Sequence, residues 1–338
     1  MRETIKQVAF QALEWSGLNA LARARQRDNL LVLAYHSVLE DGSESEPDNY
    51  YSVGTGEFAE HLEFLCQHYR PVRASDVEAW ASGDHDLPQR AVLVTFDDGL
   101  RNNLTHAAPV LKSYGVPAIL FLATVYLGGS RILWPCELYE LAMRWPNAVM
   151  PDPSGGADIK LDGTRKARSR ELVSMAKRLP ASTVEAWLAR LRAETPLPDE
   201  LSNRGVYAFL TWEEAAQLPG YGFEIGSHTV NHWIVTRCTR EELQWELVES
   251  KREIERRLGV PCTSFCYPNG GASDWSRETA EAVKAAGYRA AYAVPDRIQS
   301  RAALHAYAID RMTVAGGVSQ LAFRARVSGT INTIRALL

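Results

Sequence analysis

AVLVTFDDG, residues 91–99, is the stretch on which the reading of this chain turns. Its first five residues, Ala91 to Thr95, are short, apolar and rich in β-branched side chains, the pattern of a strand buried on both faces. The run then meets Asp97, Asp98 and Gly99, which are turn residues. Similar apolar runs recur at 30–35 (LLVLAY), 117–123 (PAILFLA), 222–227 (GFEIGS), 263–267 and 290–294. Helical spacing lies between them. Phe58, Leu62, Leu65 and Tyr69 share one face, and residues 107–114 form a second helix stopped by Gly115. Thr239 and Glu242 make a capping box for a helix that turns Leu243, Leu247, Ile254 and Leu258 inward and ends at Gly259. Residues 276–286 complete another helix. Short buried strands alternating with helices predict an α/β fold with a parallel sheet.

Composition narrows the class. The chain has 338 residues, 46% hydrophobic and 23% charged, which excludes a disordered or collagen-like protein. A net charge of −4 provides no bulk attraction for nucleic acid. Cys66, Cys136, Cys238, Cys262 and Cys266 form no CxxC pair, and an odd number of thiols suits a reducing, cytoplasmic setting. No signal-peptide pattern and no membrane-spanning apolar run is expected. In residues 1–29, Ile5, Val8, Ala9, Ala12 and Leu13 fall at helical spacing beside Arg and Lys. That amphipathic helix either packs on its own domain or rests at the inner face of a membrane.

Two motifs carry chemistry. Adjacent carboxylates at the end of a strand point in different directions, so one can hold a cation while the other faces a substrate. Asp-Asp-Gly is also ordinary turn chemistry. In His228-Thr229-Val230-Asn231-His232 the two imidazoles are four apart, and on a helical turn they would point the same way. With Asp98 they offer two nitrogens and one oxygen, an open set of the kind a catalytic cation uses. Zinc is the first expectation, and cobalt, nickel and manganese suit the same ligands.

TFDDG and HTVNH resemble the first two motifs of the NodB-homology polysaccharide deacetylases, carbohydrate esterase family 4. The resemblance spans roughly residues 30–314. It implies a distorted (β/α) barrel and a metal-dependent hydrolase that removes N-acetyl groups from an amino sugar, within a glycan or a lipid- or nucleotide-linked precursor. By the same resemblance Asp97 is the catalytic base, and Asp98, His228 and His232 are the metal ligands. A deformylase of a lipid-linked amino sugar and a catalytically silent sugar-binding relative are the alternatives.

Phe265-Cys266-Tyr267-Pro268-Asn269-Gly270 resembles the family's F-R-x-P-x-G loop, with Cys266 in place of the arginine that orients the base. That departure invites the silent reading. Arg311, after a late strand, could supply the missing guanidinium or could be a surface residue. Resemblance assigns the peptide N–H of Tyr267 to the oxyanion. Its ring either lines the groove or packs. The general acid is either His305, the only late histidine, or His36, which ends the strand at 30–35 and could equally be structural.

Residues 126–205 break the strand–helix rhythm. They read as a largely helical insertion in the domain at 30–338, with a charged helical stretch from 166 to 194. It is a lid, a substrate platform or a packing module. Oligomeric state is not legible.

Overall fold

The computed structural model describes residues 2–43 and 51–332. The polar loop expected at 41–49 therefore lies largely outside the described residues. Eight parallel strands run around a nearly closed barrel: Leu31–Tyr35, Ala91–Phe96, Ala118–Leu122, Phe223–Ser227, Ser264–Cys266, Ala290–Ala293, Ile309–Asp310 and Met312–Thr313. Ala34 pairs with Thr95, Thr95 with Ile119, Leu122 with Ser227, and Ser227 with Phe265. Ala293 then pairs with Asp310, while Leu33 pairs with Met312. The last strand is thus shared between the two edges of the sheet, and Arg311 is the single residue at the seam.

Alternation along the strands sorts their side chains into two sets. Val32, Leu93, Ile119, Phe121, Cys266, Tyr292 and Ile309 meet one another and Trp80 inside the barrel. Leu33, Val94, Phe96, Leu120 and Leu122 pack outward against Phe58, Leu62, Leu111 and Leu247 of the surrounding helices. Gly226 is required where two strands close up, because a Cβ there would meet the Ser264 carbonyl at 2.9 Å.

The capping boxes at Thr211 and Thr239 form, and Gly115 and Gly259 take left-handed C-terminal positions. The charged stretch at 166–194 is two helices, Arg165–Ala176 and Ala181–Glu194. Pro180 divides them, since its ring disfavours helical geometry at Leu179. With Trp134–Arg144 these helices enclose a separate apolar core of Leu138, Leu141, Trp145, Leu172, Trp187 and Leu191.

The chain begins with the helices Arg2–Trp15 and Leu18–Arg25, broken at Gly17, where φ is 75°. Asn19 and Ala22 are buried, whereas Val8, Trp15, Leu18 and Leu21 face outward. Among the described residues no helix is long and apolar enough to cross a membrane.

Candidate active site

The strand Ala91–Phe96 delivers its carboxylates by a change of backbone, not by simple alternation. Asp97 continues the ladder, its N–H donating to the Tyr35 carbonyl at 3.1 Å. Asp98 then turns left-handed with φ 79°, and Gly99 follows at 91°. The two carboxylates consequently face different partners.

Asp98 faces the imidazoles. Its Oδ1 lies 3.6 Å from His228 Nε2 and 3.3 Å from His232 Nε2. The histidines do not sit on a helical turn, as their spacing predicts. They occupy an irregular loop with Thr229 at φ 68° and His232 at φ 59°. Left-handed conformations of this kind cost on the order of 1–3 kcal/mol for non-glycine residues. His228 Nδ1 lies 2.8 Å from the Cys266 carbonyl. Donating there, it leaves the Nε2 lone pair free, the arrangement of a metal-ligating histidine.

These three side chains fit a divalent cation. All are buried, and their ligand atoms lie within 4.8 Å of one another. Among the described residues buried Asp98 Oδ1 makes no hydrogen bond, only the close approaches of the two Nε2 atoms, the state expected of an atom whose partner is an ion. Burial pulls His228 down to about 4, so its imidazole is neutral, as ligation demands. A second trio, Asp97, His228 and Cys266, is equally close. It suits a cation less well, because both Asp97 oxygens and the Cys266 sulfur are already engaged by Arg311.

That engagement answers the missing loop arginine. Arg311 Nη1 donates to Asp97 Oδ1 and Nη2 to Oδ2, each at 2.8 Å, and Nη1 also reaches Thr95 Oγ1 at 3.0 Å. Cys266 Sγ sits 2.9 Å from Nη2. Arg311 is fully buried and not a surface residue. Burial alone would raise the Asp97 carboxyl, but the charge and hydrogen bonds of Arg311 outweigh it and hold Asp97 well below the ordinary carboxylate range. Burial pushes the Cys266 thiol far up, which keeps it neutral and unsuited to nucleophilic attack.

Asp97, Asp98, His228 and His232 line a cavity of about 220 Å3 together with His36, Tyr51, Cys136, Lys177, Asn269 and Thr313. His36 Nε2 lies 3.9 Å from Asp97 Oδ2, and its ring stacks on Tyr51 with centroids 4.9 Å apart. His305 is not brought into this wall. Its ring lies 6.3 Å from Trp275 and 6.4 Å from Tyr307.

Tyr267 is also corrected. Its N–H is spent in the sheet ladder on the Tyr292 carbonyl at 3.1 Å, and its hydroxyl donates to the Tyr307 carbonyl at 2.8 Å. The cavity wall instead holds Asn269, two residues on, at φ 63°. Among the described residues its N–H finds no acceptor. The signal for it in the sequence is the proline turn Tyr267-Pro268-Asn269, whose donor lies two residues beyond Tyr267. Lys177, whose Nζ donates to Asn269 Oδ1 at 2.9 Å, has no motif that would have announced it.

The polysaccharide deacetylase family model matches residues 84–153 and 164–291, more than half of the chain and both motifs of the site. The chain belongs to the polysaccharide deacetylase family. This is the NodB-homology group, and it makes the protein a carbohydrate deacetylase. The Bacillus subtilis protein YxkH is 21% identical over 310 residues, covering 91% of this chain and 80% of that protein. The poly-beta-1,6-N-acetyl-D-glucosamine N-deacetylase of Escherichia coli K12 is 27% identical over 93 residues, 27% of this chain and 13% of that enzyme. Among solved structures, the Streptococcus pyogenes deacetylase PplD superposes with a TM-score of 0.57 at 16% identity, over 87% of this chain and 95% of that one. IcaB from Ammonifex degensii gives 0.56 at 20% identity, over 89% and 97%. At such identities the superpositions speak for the fold alone.

Proposed function

We propose that this deacetylase removes N-acetyl groups from an amino sugar in a glycan, or in a lipid- or nucleotide-linked glycan precursor, and that it depends on a divalent cation held by Asp98, His228 and His232. The observation that carries the reading is the pairing of an orphaned Asp98 oxygen and two Nε2 atoms with a second carboxylate, Asp97, fixed alongside by Arg311. The poly-beta-1,6-N-acetyl-D-glucosamine on which the Escherichia coli relative acts supports an N-acetylated glucosamine polymer. A cation in this ligand set, zinc first among the candidates, would polarise the acetyl carbonyl and acidify a water.

The chain's own groups do the rest. Asp97, ionised and immobile, accepts a proton from the attacking water. The Asn269 N–H donates to the oxyanion that develops as the water oxygen joins the acetyl carbon. His36 gives a proton to the sugar nitrogen as the C–N bond breaks, releasing acetate and a free amine. The silent-binder alternative rested on the missing arginine, and the Arg311–Asp97 pair supports the enzyme reading instead.

In this reading residues 126–205 are an insertion within a catalytic domain at 30–338, and residues 1–29 rest at the inner face of a membrane. Exposed Val8, Trp15, Leu18 and Leu21, with Arg25 and Arg27 beside them, support that placement. Five free thiols support a reducing compartment. The test is acetate release from β-1,6-linked N-acetylglucosamine oligomers. Release that stops with a chelator and returns with Zn2+ or Co2+ supports the proposal. Release indifferent to the chelator, or none with any metal, contradicts it.

A further inference from the structure

The loop that carries both imidazoles holds a shape its residues do not favour. Thr229, β-branched, sits at φ 68°, and His232 at 59°. Such a loop persists only where its surroundings over-determine it. All four carbonyls from Thr229 to His232 accept a hydrogen bond from one continuous stretch of chain outside the loop. Thr124 N reaches the Thr229 carbonyl at 3.2 Å and Val125 N the Val230 carbonyl at 3.1 Å. Tyr126 Oη donates to the Asn231 carbonyl at 3.2 Å, and the indole Nε1 of Trp134 to the His232 carbonyl at 3.0 Å. On the opposite side buried Glu246 accepts from the N–H groups of Val230 and Asn231 at 2.8 and 2.9 Å, and from Asn231 Nδ2 at 2.7 Å.

The donors to Asn231 and His232 belong to the stretch that interrupts the barrel. Trp134 N also donates to Tyr126 Oη at 3.3 Å, linking the two. Behind them the Trp134 ring lies 5.4 Å from that of Trp233, the residue after His232, and both belong to the core that the three extra helices enclose. A lid would have to break these buried bonds to open, leaving carbonyls without partners.

We propose that residues 126–205 act as a fixed clamp on the imidazole loop, with Trp134 and Glu246 as positioning residues that set the metal affinity of His232. This rests on the metal-site reading above. Without the indole N–H, the buried His232 carbonyl would lack a partner, and the peptide could relax out of its left-handed shape and carry the imidazole away from Asp98. Outer-shell partners of metal ligands commonly contribute about 10–100-fold in affinity.

The test titrates metal-free protein with Co2+, read by its visible absorption, and by competition with Zn2+. Trp134→Phe keeps the ring and deletes only the N–H. Glu246→Gln is the second variant and carries the test if the first does not fold. Trp187→Phe is the control, since its Nε1 donates to the Pro151 carbonyl at 2.7 Å in the same core, and not to the imidazole loop. The expected result is a loss of about tenfold or more in Co2+ affinity for Trp134→Phe and Glu246→Gln, with Trp187→Phe within about twofold of the parent at a similar drop in thermal midpoint. Affinity unchanged in both positioning variants, or an equal loss in the control, would overturn the clamp. His232→Ala separates the two readings: if it binds Co2+ as the parent does, the metal site itself is wrong, and if it alone loses binding, only the clamp is.

Discussion

Arg311 and Asp97 stand 214 positions apart in sequence, yet meet side-on inside the barrel through two N–H···O contacts of 2.8 Å. The meeting follows from how the barrel closes. Arg311 is the one residue between the two halves of the last strand, so its side chain enters the interior from the seam. The cysteine at 266 leaves room for it, with Sγ against Nη2.

A lysine cannot reproduce this fork. Arg311→Lys is expected to keep the fold while lowering kcat about a hundredfold, as a misplaced catalytic group does. Arg311→Met leaves a buried charge unpaired and is expected to lose about 3–5 kcal/mol of stability as well. Turnover measured beside denaturant unfolding distinguishes the two effects. Undiminished turnover in the lysine variant would remove Arg311 from the mechanism.

Asp97→Asn should abolish turnover while leaving Co2+ binding close to that of the parent, because Asp98 and the imidazoles are untouched. An active Asp97→Asn protein would mean that another group takes the proton from water.

How much of this was legible in the sequence varies by residue. Asp97, Asp98, His228 and His232 are announced by their place after apolar runs, and the parallel barrel by the runs themselves. The shape of the imidazole loop is not announced. His-x-x-x-His has helical spacing, whereas the loop bonds to Thr124, Val125, Tyr126, Trp134 and Glu246 accompany its left-handed residues and come from distant stretches that spacing does not reveal. Arg311 was readable as a candidate but not as an answer, since its partner depends on how the last strand divides. Tyr267 was misread because sequence does not tell which peptide N–H of a turn the sheet has already used.

The two candidate acids are separable by substitution. His36 lines the cavity 3.9 Å from Asp97, whereas His305 does not. His36→Gln is expected to lower kcat about a hundredfold, in the range for general acid catalysis, and His305→Gln to leave it within about twofold. The reverse order in a steady-state assay would exchange their roles.

A separate histidine ties stability to acid. His61 is buried against Phe323, with ring centroids 3.7 Å apart, its Nδ1 3.3 Å from Tyr35 Oη and its Nε2 4.0 Å from Glu57 Oε1. Burial lowers its pKa from 6.5 to about 3. Its contribution is therefore complete above the unfolded value of 6.5 and is lost as pH falls toward 3, because the unfolded chain takes up the proton first. The slope attributable to it is about 1.4 kcal/mol per pH unit. Urea midpoints at pH 7, 6 and 5 should fall more steeply for the parent than for His61→Gln. Parallel curves would show that His61 is protonated without loss in the folded protein.

The account depends most on a single cation between Asp98, His228 and His232. Crystals of active, zinc-loaded protein, measured on both sides of the zinc absorption edge, test it directly. One strong anomalous peak within bonding distance of an Asp98 oxygen and of both Nε2 atoms is the expected result. Active crystals whose anomalous peak lies elsewhere, or that show none, would contradict it.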